Sequence, residues 1–315
     1  MLDGKTVAVV VPAYDEERLV GDTIRGIPAF VDRIVVVDDA SRDGTVAAVE
    51  AVSDPRVELV RHERNGGVGA AIVTGYERCL AEAVAVTCVM AADNQMDPTE
   101  LRDLVGPVAR GEVDYAKANR LTTGEAWRAI PRTRFLGNAI LSLLTKFASG
   151  YWHVADSQAG YTALSLATLK RLDLHRVYRR YGFPNDLLVH LNVVDARVRD
   201  VPSRPIYGIG EVSGIRIHAV APRIAWLLVK GFWWRLKEKY VVRDFHPLVL
   251  FYALGTLLFT AGIALGAVVA VSRIGFGNAI TTPTAVLVAL LVLAGTQLGL
   301  FAAWLDMESN RHLRG

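Results

Sequence analysis

Two stretches of the sequence contain no charged residue, and they constrain the fold more than any other feature. They comprise residues 247–271 and 284–305. Each is about 20 residues long or longer, and a helix of that length crosses a hydrocarbon layer about 30 Å thick. The alternative is a pair of buried helices in a soluble domain, which would need a later segment to cover them. We therefore predict two transmembrane helices.

Basic residues are distributed unevenly around these stretches. The intervening loop contains one, Arg273, whereas the flanks contain Arg235, Lys237, Lys239, Arg243, Arg311 and Arg314. Because cytoplasmic segments carry the excess of Lys and Arg, we expect both flanks and the preceding domain in the cytoplasm, at the cell membrane. Residues 220–245 interleave aromatic and basic side chains, which predicts an interfacial helix. Residues 134–147 show a weaker version of this pattern and also suit an amphipathic helix packed on a sheet.

The first 120 residues have a different pattern. Short apolar runs rich in β-branched residues alternate with segments of helical periodicity, which predicts an α/β fold with a mostly parallel, doubly wound sheet. The predicted strands are 7–11, 34–37, 57–60, 84–90 and 113–118, and the predicted helices are 16–28, 43–52, 68–83 and 98–110. In such sheets ligands bind beyond the carboxyl ends of the strands. Three acid-rich loops, residues 12–17, 38–45 and 92–98, follow the first, second and fourth strands, so we expect them to converge.

These loops carry motifs in a recognisable order. They read Val-Pro-Ala-Tyr-Asp-Glu-Glu, then Val-Val-Asp-Asp-Ala-Ser-Arg-Asp-Gly-Thr, then Asp-Asn-Gln-Met-Asp-Pro. The series resembles family 2 glycosyltransferases of GT-A fold, specifically the dolichol-phosphate mannose synthase group, over roughly residues 6–213. The resemblance implies a Rossmann-like nucleotide-binding domain that uses a nucleotide sugar. The turn at residues 65–69 resembles that family's glycine-bearing turn, and it lacks the Gly-Lys-Ser/Thr ending of a nucleotide triphosphatase.

The resemblance also implies which residues contact the donor nucleotide. The first loop supplies Pro12, Tyr14 and Glu16, and the second supplies Asp39 for the base or ribose. Asp15 stands where the family more often has asparagine. The first loop also suits a turn that caps the following helix, with an acid at the positive end. For Asp38 we predict hydrogen bonds to nearby backbone instead of a ligand contact.

The third loop is the predicted metal site. Asp93, with Gln95 beside it, provides the hard oxygen ligands that Mg²⁺ or Mn²⁺ prefers, alongside substrate phosphates and water. The resembling enzymes commonly have an acid where this chain has Ala91, so the protein would contribute a reduced set of ligands. Asp97 and Pro98 are typical of a helix start, with Asp97 at the cap.

Other polar residues match the family or lie where an acceptor would bind. Arg120, at the end of the fifth strand, is a predicted phosphate ligand. Asp156, in Asp-Ser-Gln-Ala-Gly-Tyr, matches a segment near the sugar and acceptor and is assigned a positioning role. We predict that the acceptor phosphate is bound by Arg132, Arg134, Arg204 and Arg216. The glycine-rich segment 208–214 would close as a lid, and its 210–213 part imperfectly resembles the family's mobile loop.

Together these features predict an inverting glycosyltransferase that moves a hexose to dolichyl or another polyprenyl phosphate, for glycan or glycoprotein assembly. The donor would be GDP-mannose, UDP-glucose or a UDP-N-acetylhexosamine. The predicted organisation is a cytoplasmic catalytic domain (1–219), an interfacial helix (220–245), a two-helix membrane hairpin (246–306) and a cytoplasmic tail (307–315). A net charge of +3 without a long basic block does not favour nucleic acid as a partner.

Two alternatives remain at this point. One is transfer to a lipid hydroxyl, such as that of diacylglycerol, for which Asp156 would have to act as a base. The other is a membrane-tethered protein that binds a nucleotide sugar without catalysis, as the alanine at position 91 suggests.

Overall fold

The computed structural model describes residues 1–121, 132–204, 206, 217–276, 279 and 281–315, with the backbone alone for helical residues 132–136, 138 and 217–219. The described chain forms two compact units. The first comprises Met1–Arg235 and His312–Gly315, and the second comprises Leu236–Arg311.

The first unit is built on a seven-stranded sheet with the order β3-β2-β1-β4-β6-β5-β7. The strands are β1 Val7–Ala13, β2 Arg33–Asp38, β3 Val57–Arg61, β4 Val86–Val89, β5 Tyr115–Asn119, β6 Thr162–Ser165 and β7 Val198–Pro202. Only β6 runs antiparallel to its neighbours among these strands. The predicted α/β class and the five predicted strands are confirmed, whereas β6 and β7 were not anticipated.

Helices cover both faces of this sheet. They are α1 Val20–Gly26, α2 Thr45–Glu50, α3 Val68–Ala81, α4 Leu101–Ala109, α5 Arg132–Ser149, α6 Leu166–Leu169, α7 Phe183–Val193 and α8 Ile217–Lys237. Along β1, Val9 and Val11 point into a core shared with α1 and α4. Ala8 and Val10 point into a second core, shared with α3 and α7. The apolar run of β1 is therefore continuous because each of its residues is buried on one face of the sheet or the other.

The topology brings several chain segments to one edge of the sheet. The parallel strands β1, β2, β4, β5 and β7 all end there. Because β6 is antiparallel to β4 and β5, it begins at that edge, and the segment before it, residues 156–161, enters there. The fold therefore places the three acid-rich loops, Arg120, Asp156 and Arg204 at the same edge.

In the second unit, two long helices form an antiparallel pair. They are α9 Leu248–Phe276 and α10 Thr282–Ser309, preceded by a π-helical turn, Glu238–Arg243. A Cβ atom on Gly255 would lie 2.9 Å from the Gly299 nitrogen, and one on Gly295 would lie 2.4 Å from the Phe259 nitrogen, so the two backbones are in close contact. Both helices are long and apolar enough to cross a membrane. This agrees with the two predicted apolar helices.

Candidate active site

The first and second loops are joined by reciprocal hydrogen bonds. The Asp15 N–H donates to Ser41 Oγ (3.0 Å), and Asp15 Oδ1 accepts from the Arg42 N–H (2.7 Å). The Glu16 N–H donates to Thr45 Oγ1 (2.8 Å). Asp15 has φ +54°, a conformation that aspartate and asparagine adopt more readily than most residues. Aspartate at this position therefore serves the turn as asparagine would, and its carboxylate fixes the second loop.

The interpretation of the first loop as a helix cap is wrong. Helix α1 begins at Val20 instead of the predicted residue 16, and Leu19 at its N-cap makes no side-chain cap hydrogen bond. The carboxylates of Asp15 and Glu17 bond to the second loop instead. Of the other predicted donor contacts, Pro12 is buried within β1 and Tyr14 is exposed immediately after it. The first loop thus supports the second loop through hydrogen bonds.

Asp39 is buried and holds the glycine-bearing turn. Its Oδ1 accepts from the Gly66 N–H (2.8 Å) and lies 2.7 Å from His62 Nδ1, while its Oδ2 accepts from the Gly67 N–H (2.8 Å). Asp38 makes one longer backbone contact, from the Ser41 N–H (3.4 Å). The backbone-holding role that we predicted for Asp38 therefore belongs mainly to Asp39. The part played by His62 was not foreseen.

The third loop lies close to the first, as the convergence of the acid-rich loops predicted. Burial, together with the neighbouring carboxylates of Asp93, Asp43 and Asp15, raises the pKa of Glu16 to about 7. Within the third loop, Asp93 Oδ1 accepts the Gln95 N–H (3.1 Å). The edge of the sheet thus concentrates negative charge at the predicted metal loop.

This arrangement fits a divalent cation that is bound partly by substrate. No group of three or more His, Cys, Asp or Glu side chains is arranged around one point within the described ranges. The Asp93 carboxylate, the Gln95 amide and the adjacent Glu16 carboxylate offer only a few oxygen ligands. Mg²⁺ and Mn²⁺ commonly take the remainder from phosphates and water. Asp97 is confirmed as a cap, since its Oδ1 accepts the Thr99 N–H (2.9 Å) ahead of α4.

Arg120 and Asp156, considered separately in the sequence, form a two-point ion pair. Arg120 Nε lies 2.8 Å from Asp156 Oδ2, and its Nη2 lies 3.2 Å from Oδ1. The Lys117 ammonium group donates to the Asp156 carbonyl oxygen. Burial alone would raise the pKa of Asp156, but the Arg120 guanidinium and Lys117 hold it below its ordinary value. Asp156 is therefore an ionised, oriented carboxylate.

A small cavity of about 40 Å³ lies beside this pair. It is lined by residues that include Gln95, Arg120, Gly160, Tyr161 and Arg204. Four of our predicted segments therefore meet around one space. Of the predicted acceptor cations, only Arg204 can be placed here, because the side chains of Arg132 and Arg134 and the whole of Arg216 and residues 208–214 lie outside the described residues.

A wider hollow of about 700 Å³ lies near the start of β3, and its lining includes Arg25, Asp54 and Arg56. The Arg56 guanidinium already donates to Asp54 and to the carbonyl oxygens of Pro28 and Val31. None of the three acid-rich loops borders it. The candidate active site is therefore the carboxyl edge of the sheet, where the three acid-rich loops lie.

A mostly parallel sheet whose carboxyl edge gathers acidic loops and a partly buried arginine–carboxylate pair is typical of a nucleotide-binding α/β protein of GT-A type. The chain belongs to Glycosyl transferase family 2, whose sequence model matches residues 8–172. The predicted family and fold class are thereby confirmed.

Individual relatives agree with this assignment. The chain is 30% identical over 234 residues to the polyprenol monophosphomannose synthase of Mycolicibacterium smegmatis, covering 71% of this chain and 87% of the relative. It is 26% identical to the UDP-N-acetylglucosamine--dolichyl-phosphate N-acetylglucosaminyltransferase of Methanococcus voltae, covering 64% and 86%. Glucosyl-3-phosphoglycerate synthase from Mycobacterium tuberculosis, solved with Mn²⁺ and UDP, has the same fold (TM-score 0.56, 20% identity, 74% and 80% covered).

Proposed function

We propose that this protein transfers a hexose from a nucleotide sugar to dolichyl or another polyprenyl phosphate, with inversion at the anomeric carbon. The observation that carries the proposal is the meeting of the Asp93–Gln95 loop, Glu16 and the Arg120–Asp156 pair at one sheet edge. Of the two relatives named above, one makes polyprenol monophosphomannose and the other transfers N-acetylglucosamine to dolichyl phosphate, as their names state. The two long apolar helices suit an enzyme whose acceptor is a membrane lipid.

On the donor side, the joined first and second loops form the nucleotide site. Asp39 is held by two backbone N–H groups and by His62, so its carboxylate has a fixed direction toward the glycine-bearing turn. Asp93 and Gln95 are the residues that would hold Mg²⁺ or Mn²⁺. When bound, that ion supplies positive charge opposite the departing diphosphate.

On the acceptor side, the chemistry needs no general base. A polyprenyl phosphate is already an anion at neutral pH, so one of its oxygens can attack the anomeric carbon directly. The new carbon–oxygen bond forms as the bond to the diphosphate breaks, and the nucleoside diphosphate leaves with the electron pair. Arg120 and Arg204 contribute positive charge at the cavity, where the acceptor phosphate has to be oriented in line.

Transfer to a lipid hydroxyl is less well supported by the same site. It would require Asp156 to accept a proton, yet Arg120 and Lys117 hold the pKa of that carboxyl below its ordinary value. A carboxylate stabilised in this way is a weak base. The ion pair therefore favours a phosphate acceptor over a hydroxyl.

We further propose that the protein is a multi-pass protein of the cell membrane, organised as predicted: 1–219 catalytic and cytoplasmic, 220–245 interfacial, 246–306 a membrane hairpin and 307–315 a cytoplasmic tail. Helix α8 supports the interfacial part. Its inner side buries Ile224 and Leu228 against Ala148 and Val189, while Trp226 on its outer side is 60% exposed. The Lys230 ammonium lies 5.4 Å from the Trp226 ring centroid. An aromatic residue beside a cation suits the lipid head-group region.

Helix α5 contributes to the same surface. On its inner side, Ala148 packs against Ile224 and Leu228 of α8. The buried Arg235 of α8 also donates a hydrogen bond to the Ala148 carbonyl oxygen (2.8 Å). Its outer side exposes large apolar residues, namely Ile140, Leu143, Leu144 and Phe147. Helix α5 therefore packs inward against other helices as an amphipathic helix, and its apolar outer side supports the proposed interfacial position.

The proposed function is tested with the purified full-length protein in lipid vesicles containing polyprenyl phosphate and Mn²⁺. Radiolabelled GDP-mannose, UDP-glucose and UDP-N-acetylglucosamine are supplied separately, and labelled lipid is extracted and counted. We expect one donor to label the lipid. Failure of every donor to label the lipid would contradict the proposed acceptor, whereas donor hydrolysis without lipid labelling would still exclude a purely binding protein.

A further inference from the structure

Lys117 is a fully buried lysine in the middle of β5 that the reaction described above does not use. Its side chain is 0% exposed. Lysine is almost never completely buried unless a partner compensates its charge. Its ammonium group donates to the carbonyl oxygen of Asp156. A charged strand residue thus reaches the backbone of the segment that forms the Arg120 ion pair.

Asp200 on β7 lies beside Lys117 in the parallel register of the two strands. Its Oδ2 accepts from Asn119 Nδ2 (2.8 Å) and from the Ala155 N–H (2.8 Å). These partners immediately precede Arg120 and Asp156 in the chain. Its Oδ1 is buried without a hydrogen-bond partner in the part of the chain that the structure describes. Asp200 therefore binds the residue before Arg120 and the residue before Asp156, and so helps to hold both members of the ion pair in place.

The four side chains comprise two bases and two acids, so their formal charges balance. Burial lowers the pKa of Lys117 and raises that of Asp200, and each group opposes the shift in the other. Lys117 and Asp200 lie beneath, whereas Arg120 borders the cavity and pairs with Asp156. Removal of one member would leave a buried charge without its counter-charge, which is strongly unfavourable. Lys117 thus has two separable connections, an electrostatic one with Asp200 and a hydrogen bond to Asp156.

We propose that Lys117 is a positioning residue for the transfer reaction. By holding the Asp156 carbonyl, it fixes the Asp156 segment so that Arg120 and Asp156 present one geometry to the cavity. This inference rests on the proposed function of the site. The competing explanation is that Lys117 only balances the charge of Asp200 and supports the fold.

A double variant separates the two explanations. Lys117→Met combined with Asp200→Asn removes both charges, keeps side chains of similar length and leaves an amide oxygen at position 200 to accept from Asn119 and Ala155. The single variant Asp200→Asn is the matched control, because it retains Lys117. If Lys117 only balances charge, the double variant recovers both stability and activity.

We expect the double variant to melt within a few degrees of the wild type while its kcat falls about 10- to 100-fold, the usual effect of a small displacement at a reacting site. The donor KM should change by less than about 3-fold, because the nucleotide loops are untouched. A kcat near that of wild type in a well-folded double variant would overturn the proposal. If the double variant does not fold, Lys117→Arg replaces it: a lowered kcat with a near wild-type Tm supports the proposal, and an unchanged kcat overturns it.

Donor hydrolysis without acceptor is measured in parallel, since it reports on the same residues without polyprenyl phosphate. A wild type that hydrolyses donor but labels no lipid would refute the proposed acceptor alone. In that case the wild type and the double variant are compared by their rates of donor hydrolysis. We again expect a loss of about 10- to 100-fold in the double variant, and a rate near that of the wild type would overturn the proposal. The failure of either proposal is thus distinguishable from the failure of the other.

Discussion

At the level of single residues, the Arg120–Asp156 pair decides how an acceptor can be activated. A carboxylate that is bonded at two points to a guanidinium and lies near the positive charge of a buried ammonium remains ionised over the whole neutral range. It orients neighbours well and takes up protons poorly. Because the ion-paired Asp156 is a weak base, the pair favours a phosphate acceptor, which needs no proton removed, over a hydroxyl acceptor.

Asp156→Asn tests this link. We expect kcat with polyprenyl phosphate to fall about 10- to 100-fold, because the Arg120 partner is weakened and both groups lose orientation. The pKa of Asp156 is lower in the folded protein than its unfolded value near 4. The stability that this carboxylate contributes is therefore fully present above about pH 4 and is lost as the pH falls further. The activity of the wild type should accordingly show no acid limb from Asp156 between pH 6 and 8. The pH–rate profiles of both proteins are the measurement, and an acid limb near neutrality that disappears in the variant would indicate a base.

Sequence reasoning identified individual site residues better than their partners. Gln95, Arg120 and Arg204 are each predicted from the sequence, and they line one cavity together with Gly160 of the Asp156 segment. Motif position gives each residue its type and its place at the end of a strand. It does not reveal that Arg120 pairs with Asp156, or that Lys117 reaches the Asp156 carbonyl, because such contacts depend on which strands are neighbours. The unforeseen antiparallel β6 sets that neighbourhood.

At the level of elements, the glycine-bearing turn before α3 is held by contacts that a side chain would prevent. Gly67 has φ +95°, and a Cβ atom there would lie 2.7 Å from the Arg179 carbonyl oxygen. Its N–H donates to Asp39. The turn, Asp39 and the segment at residues 178–180 therefore depend on a glycine at this position for both conformation and space.

Gly67→Ala should displace the turn and with it Asp39. We expect the donor KM to rise about 10-fold and the Tm to fall, since both a left-handed conformation and a backbone clash are imposed. Gly111→Ala is the matched control: Gly111 has φ +72°, but a Cβ atom there has no neighbour within 4 Å. That variant should lose about 1–2 kcal/mol of stability from conformation alone and keep the wild-type donor KM. Equal donor KM values for the two variants would contradict the role of the turn.

The limits of sequence-based element prediction also have physical causes. Mostly apolar runs rich in β-branched residues revealed β1 to β5, because helices cover both faces of the sheet. Helix α1 is shorter than predicted because residues 15–17 bond to the second loop instead of continuing the helix. β6 has four residues and runs directly into α6, which leaves too short a pattern to recognise.

At the level of the whole molecule, two long apolar helices suggest a membrane protein, and we propose that the outer sides of α5 and α8 also contact the lipid surface. Charge-free length alone predicted α9 and α10, since few other environments accept such sequences. The interfacial role of α8 remains a proposal. It makes a definite prediction about which tryptophans contact lipid.

Single-tryptophan variants in vesicles containing brominated lipid test that role. The variant that retains only Trp226 should be strongly quenched, because we place its exposed ring in the head-group region. The variant that retains only Trp234, whose ring packs inward with its centroid 4.4 Å from that of His190, is the control and should be quenched much less. Trp304 on α10 provides the reference for a residue within the proposed membrane hairpin. Quenching of Trp226 no greater than that of Trp234 would contradict the interfacial position of α8.

The central claim is that Asp93, with Gln95, holds a divalent cation against the diphosphate of a nucleotide sugar. The most direct measurement is the rate of sugar transfer as a function of Mn²⁺ concentration for the wild type, Asp93→Ala and the exposed control Asp103→Ala. We predict that EDTA abolishes wild-type transfer, that Asp93→Ala loses about 100-fold or more in kcat and needs far more Mn²⁺, and that Asp103→Ala matches the wild type. Transfer by Asp93→Ala at the wild-type rate and Mn²⁺ requirement would contradict the account.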